Sequence, residues 1–130
     1  MLPISCGGGG IPVVPNGEGG YDGTAAVIDK DFAASLLARS LDADILLILT
    51  EVEKVSLNFR KPDQKDLDHM TVEEARKFIE EGHFAPGSML PKVKAAVDFA
   101  VSAPGRKAII TSLYKAVDAL QGKTGTVIEA

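Results

Sequence analysis

The chain has 130 residues, of which 45% are hydrophobic and 25% charged, and its formal net charge is −4. This size and apolar content allow one hydrophobic core, so we expect a single domain over residues 1–130, while the negative charge and the lack of a basic stripe argue against a nucleic-acid partner. No apolar run reaches membrane-spanning length, the N-terminus lacks a secretory leader pattern, and the single cysteine, Cys6, excludes an internal disulfide, so we expect a cytoplasmic protein without a membrane partner.

A run of four glycines, Gly7, Gly8, Gly9 and Gly10, follows a short apolar segment near the N-terminus. Glycines at a strand end allow positive φ angles and let the main chain approach a ligand closely; a flexible turn is the alternative interpretation. The run matches neither the phosphate-loop pattern nor the dinucleotide fingerprint, because no helix pattern follows it. A second glycine-rich segment, residues 16–23, is expected to be a loop that is mobile or faces a ligand.

Helix and strand patterns alternate through the middle of the chain. Asp31 is expected to open a helix over residues 31–41, and the continuous apolar run at 45–50 predicts a strand buried on both faces of a parallel sheet. Residues 54–59 are expected to be extended and residues 60–64 to form a charged loop. The capping-box pattern that begins at Thr71 predicts a helix through Ile79.

The alternation continues to the C-terminus, with a helix after Pro91, a strand at 107–111, a short helix at 114–120 and a strand at 124–128. This order predicts an α/β fold, a three-layer α/β/α sandwich with a mainly parallel sheet and right-handed crossovers. Ligands of such sheets bind at the carboxyl ends of the strands. We therefore expect the glycine run at 7–10, the end of the strand at 45–50 and the turn at 87–92 to share one edge.

The turn at 87–92 carries a lysine into the first turn of a helix. Gly87, Ser88 and Met89 precede Pro91, and Lys92 follows it. Backbone N–H groups at a helix N-terminus and a mobile ammonium group together suit a phosphoryl group. A glycine helix cap followed by an ordinary surface lysine is the alternative.

An acidic–basic–acidic triplet lies at the start of the helix predicted over residues 31–41. It consists of Asp29, Lys30 and Asp31. Two carboxylates that flank a lysine can hold its ammonium group for phosphoryl transfer, or they can form a solvated N-cap. Periodicity favours Asp31 as the N-cap and leaves Asp29 and Lys30 open.

The remaining chemistry of the sequence is sparse. No serine–histidine or cysteine–histidine pairing looks catalytic, whereas phosphoryl transfer depends mainly on positioned cations and backbone donors. His69 and His83 lie in separate polar contexts, so no zinc site is expected, nor any other metal site built from side chains.

Six motifs occur in one order across the chain, and together they resemble the carbamate kinases of the amino acid kinase superfamily. They are Ser-x-Gly-Gly-Gly-Gly-Ile-Pro-Val at 5–13, Val-Ile-Asp-Lys-Asp at 27–31, Leu-Leu-Ile-Leu-Thr at 46–50, Lys-Pro-Asp-Gln at 61–64, Gly-Ser-Met-x-Pro-Lys-Val at 87–93 and Gly-Thr-Val-Ile at 125–128. The resemblance is to the C-terminal, nucleotide-binding half of that longer family. The N-terminal half, which supplies another glycine-rich loop and much of the carbamate pocket, has no counterpart here.

The resemblance implies phosphoryl transfer between ATP and carbamate, with ATP or ADP bound and Mg²⁺ held mainly through the nucleotide phosphates. The small-molecule partners are then the nucleotide and carbamate or carbamoyl phosphate. By the same resemblance, Asp29 organises the catalytic lysines, and Lys30 and Lys92 reach the phosphates and the transferred group.

The nucleotide-binding residues implied by the resemblance lie in three segments. Thr50, Val52 and Ser56 lie where the family holds nucleoside and phosphate, and Gly87, Ser88 and Met89 form the turn over it. Gly7, Gly8, Gly9 and Gly10 resemble the backbone-donor loop at the phosphoryl-transfer centre. The family usually has an aromatic residue where Ser56 stands and glycine where Arg60 stands, so we expect weaker adenine stacking.

A non-catalytic remnant of the amino acid kinase fold is the alternative function. Another superfamily member, acting on an acidic amino acid or a small phosphonate, is disfavoured by the motifs at 27–31 and 87–93. The isolated chain is expected to be inactive as a carbamate kinase, because one half offers only one of the two glycine loops. We also expect a homo-oligomer, most simply a dimer, formed through sheet edges or residues 11–14.

Overall fold

The computed structural model describes residues 2–5, 7–8 and 10–130. In chain order its elements are β1 (Val13–Pro15), β2 (Tyr21–Gly23), α1 (Lys30–Ser40), β3 (Ile45–Thr50), β4 (Val55–Leu57), β5 (Lys65–Leu67), β6 (His69–Thr71), α2 (Val72–Glu80), α3 (Met89–Ala100), β7 (Lys107–Ser112), a 3-10 helix (Leu113–Lys115), α4 (Ala116–Leu120) and β8 (Thr126–Glu129).

The main sheet has the strand order β3-β7-β8-β6. β3 pairs with β7 in parallel, with Leu46 opposite Ala108, and β6 pairs with β8 in parallel. β8 runs antiparallel to β7, with Ile110 opposite Thr126, because α4 and the turn after it bring the chain straight back. The α/β class is confirmed, and two of the three strand pairings in this sheet are parallel.

One face of the sheet carries the hydrophobic core. α3 packs on this face between α1 and α2. Side chains alternate between the two faces of a strand, so one set from the four strands points at α3. That set is Leu46, Ile48, Met70, Ala108, Ile110 and Ile128, and all of these residues are buried with Val93, Ala96 and Val97 of α3.

The opposite face is covered less completely. Ile109 points away from α3 and is buried, as is Ala119 of α4, which packs against β7. Ile45 and Leu49 of β3, however, are 38% and 39% exposed. The sandwich thus has one full helical layer, α1 to α3, while the described part of the other layer is the short helix α4.

The start of α1 differs from the prediction. Asp29 is the N-cap, because its carboxylate accepts hydrogen bonds from the backbone N–H of Asp31 (2.7 Å) and of Phe32 (3.4 Å). The assignment of Asp31 as the N-cap was wrong: Asp31 lies in the first turn and is buried. Both Asp29 and Asp31 stand close enough to the start of the helix to cap it. The N-cap is the aspartate whose carboxylate accepts hydrogen bonds from the free backbone N–H groups of the first turn, and this is Asp29.

The capping box at Thr71 is confirmed. The Thr71 hydroxyl accepts from the Glu74 N–H at 3.1 Å, and the Glu74 carboxylate accepts from the Thr71 N–H at 2.9 Å. The bond from the Thr71 backbone lowers the pKa of the Glu74 carboxyl. α3 begins at Met89, two residues before Pro91.

Four short strands, β1, β2, β5 and β6, were missed. β2 lies in the segment expected to be a glycine-rich loop and pairs with β1, and every residue of these two strands is exposed. β5 and β6 follow the charged loop, and each has only three residues of mixed polarity, too few to show an alternating pattern.

A close backbone approach at Gly125 generates the first prediction. Gly125 has a φ of +88°, and a Cβ there would lie 3.2 Å from both the Ile110 carbonyl oxygen and the Thr111 Cβ. We expect Gly125→Ala to lower the free energy of unfolding by about 2–3 kcal/mol, since strain and crowding add.

Gly122→Ala is the matched control for that change. Gly122 has a φ of +74° but nothing within 4 Å of an added Cβ, so its replacement costs only the backbone strain, about 1 kcal/mol. Urea denaturation of both variants measures the difference. Equal losses would show that the contact between β8 and β7 at Gly125 is not tight.

Candidate functional site

A cleft of about 390 Å³ opens at the carboxyl end of β3. One wall is the β4–β5 hairpin with the segment that leads into it, and the other is the connection between α2 and α3. The lining residues are Thr50, Glu51, Val52, Lys54, Ser56, Phe59, Arg60, His83, Phe84, Ala85, Ser88 and Met89. The position agrees with the rule that ligands of open α/β sheets bind beyond the carboxyl ends of the strands.

The hairpin wall is held by a small polar network. The buried hydroxyl of Ser56 donates to Asp66 Oδ1 at 2.6 Å, and Gln64 Nε2 donates to the same oxygen at 3.0 Å. These two hydrogen bonds, with that from Ser56 the stronger influence, keep the pKa of Asp66 below its ordinary value. The hydroxyl at position 56 is therefore already engaged within the hairpin. A second, shallower cavity of about 380 Å³ adjoins this network.

The turn of the hairpin contains two residues in left-handed conformation. Asn58 has a φ of +51° and Arg60 a φ of +62°. Arg60, which stands where the resemblance expects glycine, adopts a conformation that glycine reaches without strain. Two hydrogen bonds that involve side chains help to hold the turn: Asn58 Nδ2 donates to Asp63 Oδ2 at 2.6 Å, and the Arg60 N–H donates to Gln64 Oε1 at 2.9 Å.

Three basic residues line the cleft, Arg60 of the hairpin turn and also Lys54 and His83. Lys54 Nζ is 2.5 Å from Asp68 Oδ1, and this hydrogen bond raises the pKa of Lys54. His83 contacts both walls, since its Nδ1 is 3.2 Å from Asn58 Oδ1 in the hairpin turn and its Nε2 is 3.1 Å from Glu81 Oε2 after α2. The cleft therefore combines the apolar side chains of Val52 and Phe84 with the cationic side chains of Lys54 and Arg60.

The N-terminus of α3 forms the far wall. Ser88 and Met89 line the cleft, and among the described residues the Ser88 side chain makes no capping hydrogen bond to α3. Helix N-termini carry partial positive charge and free N–H groups, so this end of the cleft suits an anion.

A desolvated ion pair lies next to this helix end. Lys92 Nζ is 2.9 Å from Asp31 Oδ2, and the side chains are only 12% and 11% exposed. Lys30 Nζ is 3.9 Å from the same oxygen, and its side chain is 65% exposed. Lys92 follows Met89 by three residues, so the two side chains are neighbours on α3. Met89 lines the cleft, whereas Lys92 and Asp31 are not among its lining residues.

The structure brings together only part of the predicted site. Thr50, Val52, Ser56, Ser88 and Met89 all line the cleft, and Gly87 lies exposed beside it.

Asp29, Lys30 and Lys92 belong to the neighbouring junction of α1 and α3. There it is Asp31, not Asp29, whose carboxylate contacts Lys92.

The described glycines of the run at 7–10 do not line the cleft. Gly7, Gly8 and Gly10 are exposed, and an added Cβ on any of them would meet nothing within 4 Å. Gly9 lies outside the described residues. The expectation that the run shares one edge with the strand end and the turn therefore finds no support in the lining of the cleft.

Sequence reasoning missed Asp31 as the partner of Lys92, and it missed His83 and Phe84 as cleft residues. The spacing of Asp29 and Asp31 did signal a carboxylate near a lysine, although it could not say which one faces inward. Within residues 2–5, 7–8 and 10–130, no three His, Cys, Asp or Glu side chains group as a metal site. In the same residues, no helix is long and apolar enough to cross a membrane.

Comparison with known proteins places this geometry in a family. The sequence matches the model of the amino acid kinase family over residues 3–112. It is 59% identical over 128 residues to the carbamate kinase of Clostridium perfringens, and 57% identical over 128 residues to the carbamate kinase-like protein YqeA of Escherichia coli. These matches cover 98% of this chain but only 40% and 41% of the two relatives.

A solved structure shows the same fold. The carbamate kinase of Giardia lamblia bound to AMP-PNP superposes with a TM-score of 0.86 at 48% identity, over 94% of this chain and 38% of that one. The chain thus spans about two fifths of the length of the relatives it matches. With its family match over most of its length and its cleft at the carboxyl end of β3, the chain belongs to the amino acid kinase family.

Proposed function

We propose that this chain is the nucleotide-binding part of a carbamate kinase, which transfers a phosphoryl group between ATP and carbamate. The observation that carries the proposal is the cleft at the end of β3, which is lined by the N-terminus of α3. The Asp31–Lys92 pair lies at the start of the same helix. Similarity to carbamate kinases, one of them solved with AMP-PNP, supports it. The cytoplasmic location expected from the sequence is part of the proposal.

The proposed nucleotide lies along the cleft. Its volume of about 390 Å³ falls in the range of small-molecule sites. The nucleoside lies between the hairpin and Phe84, in contact with Thr50, Val52 and Ser56. The phosphates point to the N–H groups of Ser88 and Met89 and to Lys92, since anions are stabilised at helix N-termini.

The lysines have distinct proposed roles. Asp31 fixes the Lys92 ammonium at 2.9 Å, so this cation is positioned before the nucleotide arrives. Lys30, with its exposed side chain, extends to the transferred phosphoryl group. Asp29 acts indirectly, because its capping bonds set the first turn of α1 and hence the direction of Asp31.

The remaining groups are proposed from the resemblance alone. Gly7, Gly8, Gly9 and Gly10 supply backbone donors near the transferred group, and Gly87 lets the chain pass closely over the phosphates. Mg²⁺ would be held mainly through the nucleotide phosphates. Its chemistry is to neutralise charge on the β- and γ-phosphates.

Replacement of Lys92 tests the phosphate end of the site. Lys92→Ala removes a charge-assisted contact worth about 1.5–3 kcal/mol, so we expect ADP affinity to fall about tenfold or more in calorimetric titration with Mg²⁺. Lys94→Ala, which removes an exposed lysine from the same helix, is the control and is expected to leave the affinity within about twofold. Equal affinities for wild type and Lys92→Ala would remove Lys92 from the site.

The isolated chain is expected to lack carbamate kinase activity. Phosphoryl transfer of this kind rests on positioning from both sides of the transferring group, and this chain spans about two fifths of its relatives. The assay is ATP formation from ADP and carbamoyl phosphate, after removal of host kinases. Turnover near 10 s⁻¹, typical of enzymes, would overturn the expectation.

We also propose that the isolated chain self-associates, most simply as a dimer, through the edge of the main sheet that β3 forms. β3 ends the strand order, and within the described residues its outer edge has no partner strand. Ile45 and Leu49 remain more than a third exposed on that strand, and an apolar edge of this kind favours pairing.

Light scattering measures this association. Leu49→Lys places a charge on the open strand and is expected to shift the chain to monomer. Val101→Lys, at the C-terminal end of α3, replaces an apolar residue of similar exposure and is expected to leave the association unchanged. A strictly monomeric wild type would contradict the proposal.

A non-catalytic remnant is the second candidate, and one observation favours it. The Ser56 hydroxyl is bound within the hairpin where the resemblance expects an aromatic side chain. A wild-type chain that binds no ADP would favour this candidate over the first.

A further inference from the structure

The C-terminal motif at 125–128 contributes no residue to the lining of the cleft. One of its side chains is nonetheless fully buried and makes two hydrogen bonds. Thr126 in β8 is 0% exposed, and its Oγ1 accepts from the Val55 N–H at 2.8 Å and donates to the Leu67 carbonyl oxygen at 2.5 Å. Val55 begins β4 and Leu67 ends β5, so both strands of the hairpin are tied to one hydroxyl.

These bonds matter because the hairpin is not part of the main sheet. β4 and β5 form their own two-stranded ladder, separate from the order β3-β7-β8-β6. Val55 and Leu67 belong to the main hydrophobic core, but apolar contact is not directional. The hydroxyl of Thr126 therefore supplies a directional bond between the core sheet and the wall of the cleft.

Two further hydroxyls bind the segment that leads into β4. Thr111 Oγ1 donates to the Glu53 carbonyl oxygen at 3.2 Å, and Thr124 Oγ1 donates to Glu53 Oε1 at 2.5 Å. Glu53 lies between Val52 and Lys54, which both line the cleft. We call these three residues, Thr111, Thr124 and Thr126, the threonine latch.

We propose that the threonine latch, chiefly Thr126, positions the hairpin wall of the nucleotide cleft. The inference rests on the proposed function, because it assigns the latch to the nucleoside end of that same site. The Thr126 hydroxyl accepts one bond and donates the other, and valine, which has the same shape but no polar atom, loses both. Gly125 contributes by letting β8 begin tight against Ile110 and Thr111, which brings the Thr126 side chain to the hairpin.

Three variants separate positioning from general stability. Thr126→Val removes the hydroxyl and keeps the shape, Thr126→Ser keeps the hydroxyl, and Ile128→Val weakens the core of the same strand without touching the hairpin bonds. Calorimetry with ADP and with inorganic pyrophosphate measures the two ends of the site. The rate of hydrogen exchange at the Val55 amide reports whether the hairpin has lost its hydrogen bond to Thr126.

The expected pattern is specific. Thr126→Val binds ADP about tenfold more weakly, since a buried N–H and a buried carbonyl lose their partner, and its Val55 amide exchanges faster. Thr126→Ser restores both properties, and Ile128→Val matches the wild type in both. Pyrophosphate affinity, which depends on α3 and Lys92, stays unchanged in all three.

The outcomes also distinguish this inference from the proposed function. If the wild type binds ADP and Thr126→Val binds it equally well, or if Ile128→Val loses as much affinity as Thr126→Val, the latch has no positioning role. If the wild type binds no ADP, the proposed function fails and the inference with it. Should Thr126→Val not fold, Thr111→Val removes the bond to Glu53, and an unchanged ADP affinity in that variant overturns the proposal.

Discussion

The close packing of α3 against both α1 and the sheet is the constraint on which the other elements depend. Its inner face carries small residues, among them Ala95, Ala96 and Ala100, and all of them are fully buried. Small side chains let the neighbouring backbone approach, and the Ser35 hydroxyl of α1 donates to the Ala95 carbonyl oxygen at 2.9 Å. Because α1 lies this close, the lysine in the first turns of α3 faces the first turn of α1 and meets Asp31.

The burial of the Asp31–Lys92 ion pair limits its contribution to stability. Two charges with side chains nearly nine-tenths buried lose most of their hydration, and their attraction roughly offsets this cost. The pair is therefore weak as a source of stability and strong as a constraint on position, since either charge alone would be costly to bury. A cation held in this way needs little reorganisation when a negative charge develops nearby.

The long elements could be predicted from the sequence because their patterns extend over several turns or a full apolar run, as in α1, α3, β3 and β7. β5 and β6 could not, because three residues show no period. The residues of the cleft wall on β3 and α3 followed from the family motifs. The partners of Lys92 and Thr126 did not, since both contacts join residues about 60 or 70 positions apart, and only packing brings such residues together.

The separate ladder of the β4–β5 hairpin has a consequence for how a cleft of this kind can change. When a strand inside the main sheet gains or loses one residue, its own side chains beyond that point move to the opposite face of the sheet, unless a β-bulge absorbs the change. The hairpin carries no such register with the sheet, and its exposed tip at residues 60–63 is free of that restriction. Insertions and substitutions at this tip can therefore alter what the cleft accepts while the folded core stays the same, provided that the two strands remain fastened to the sheet.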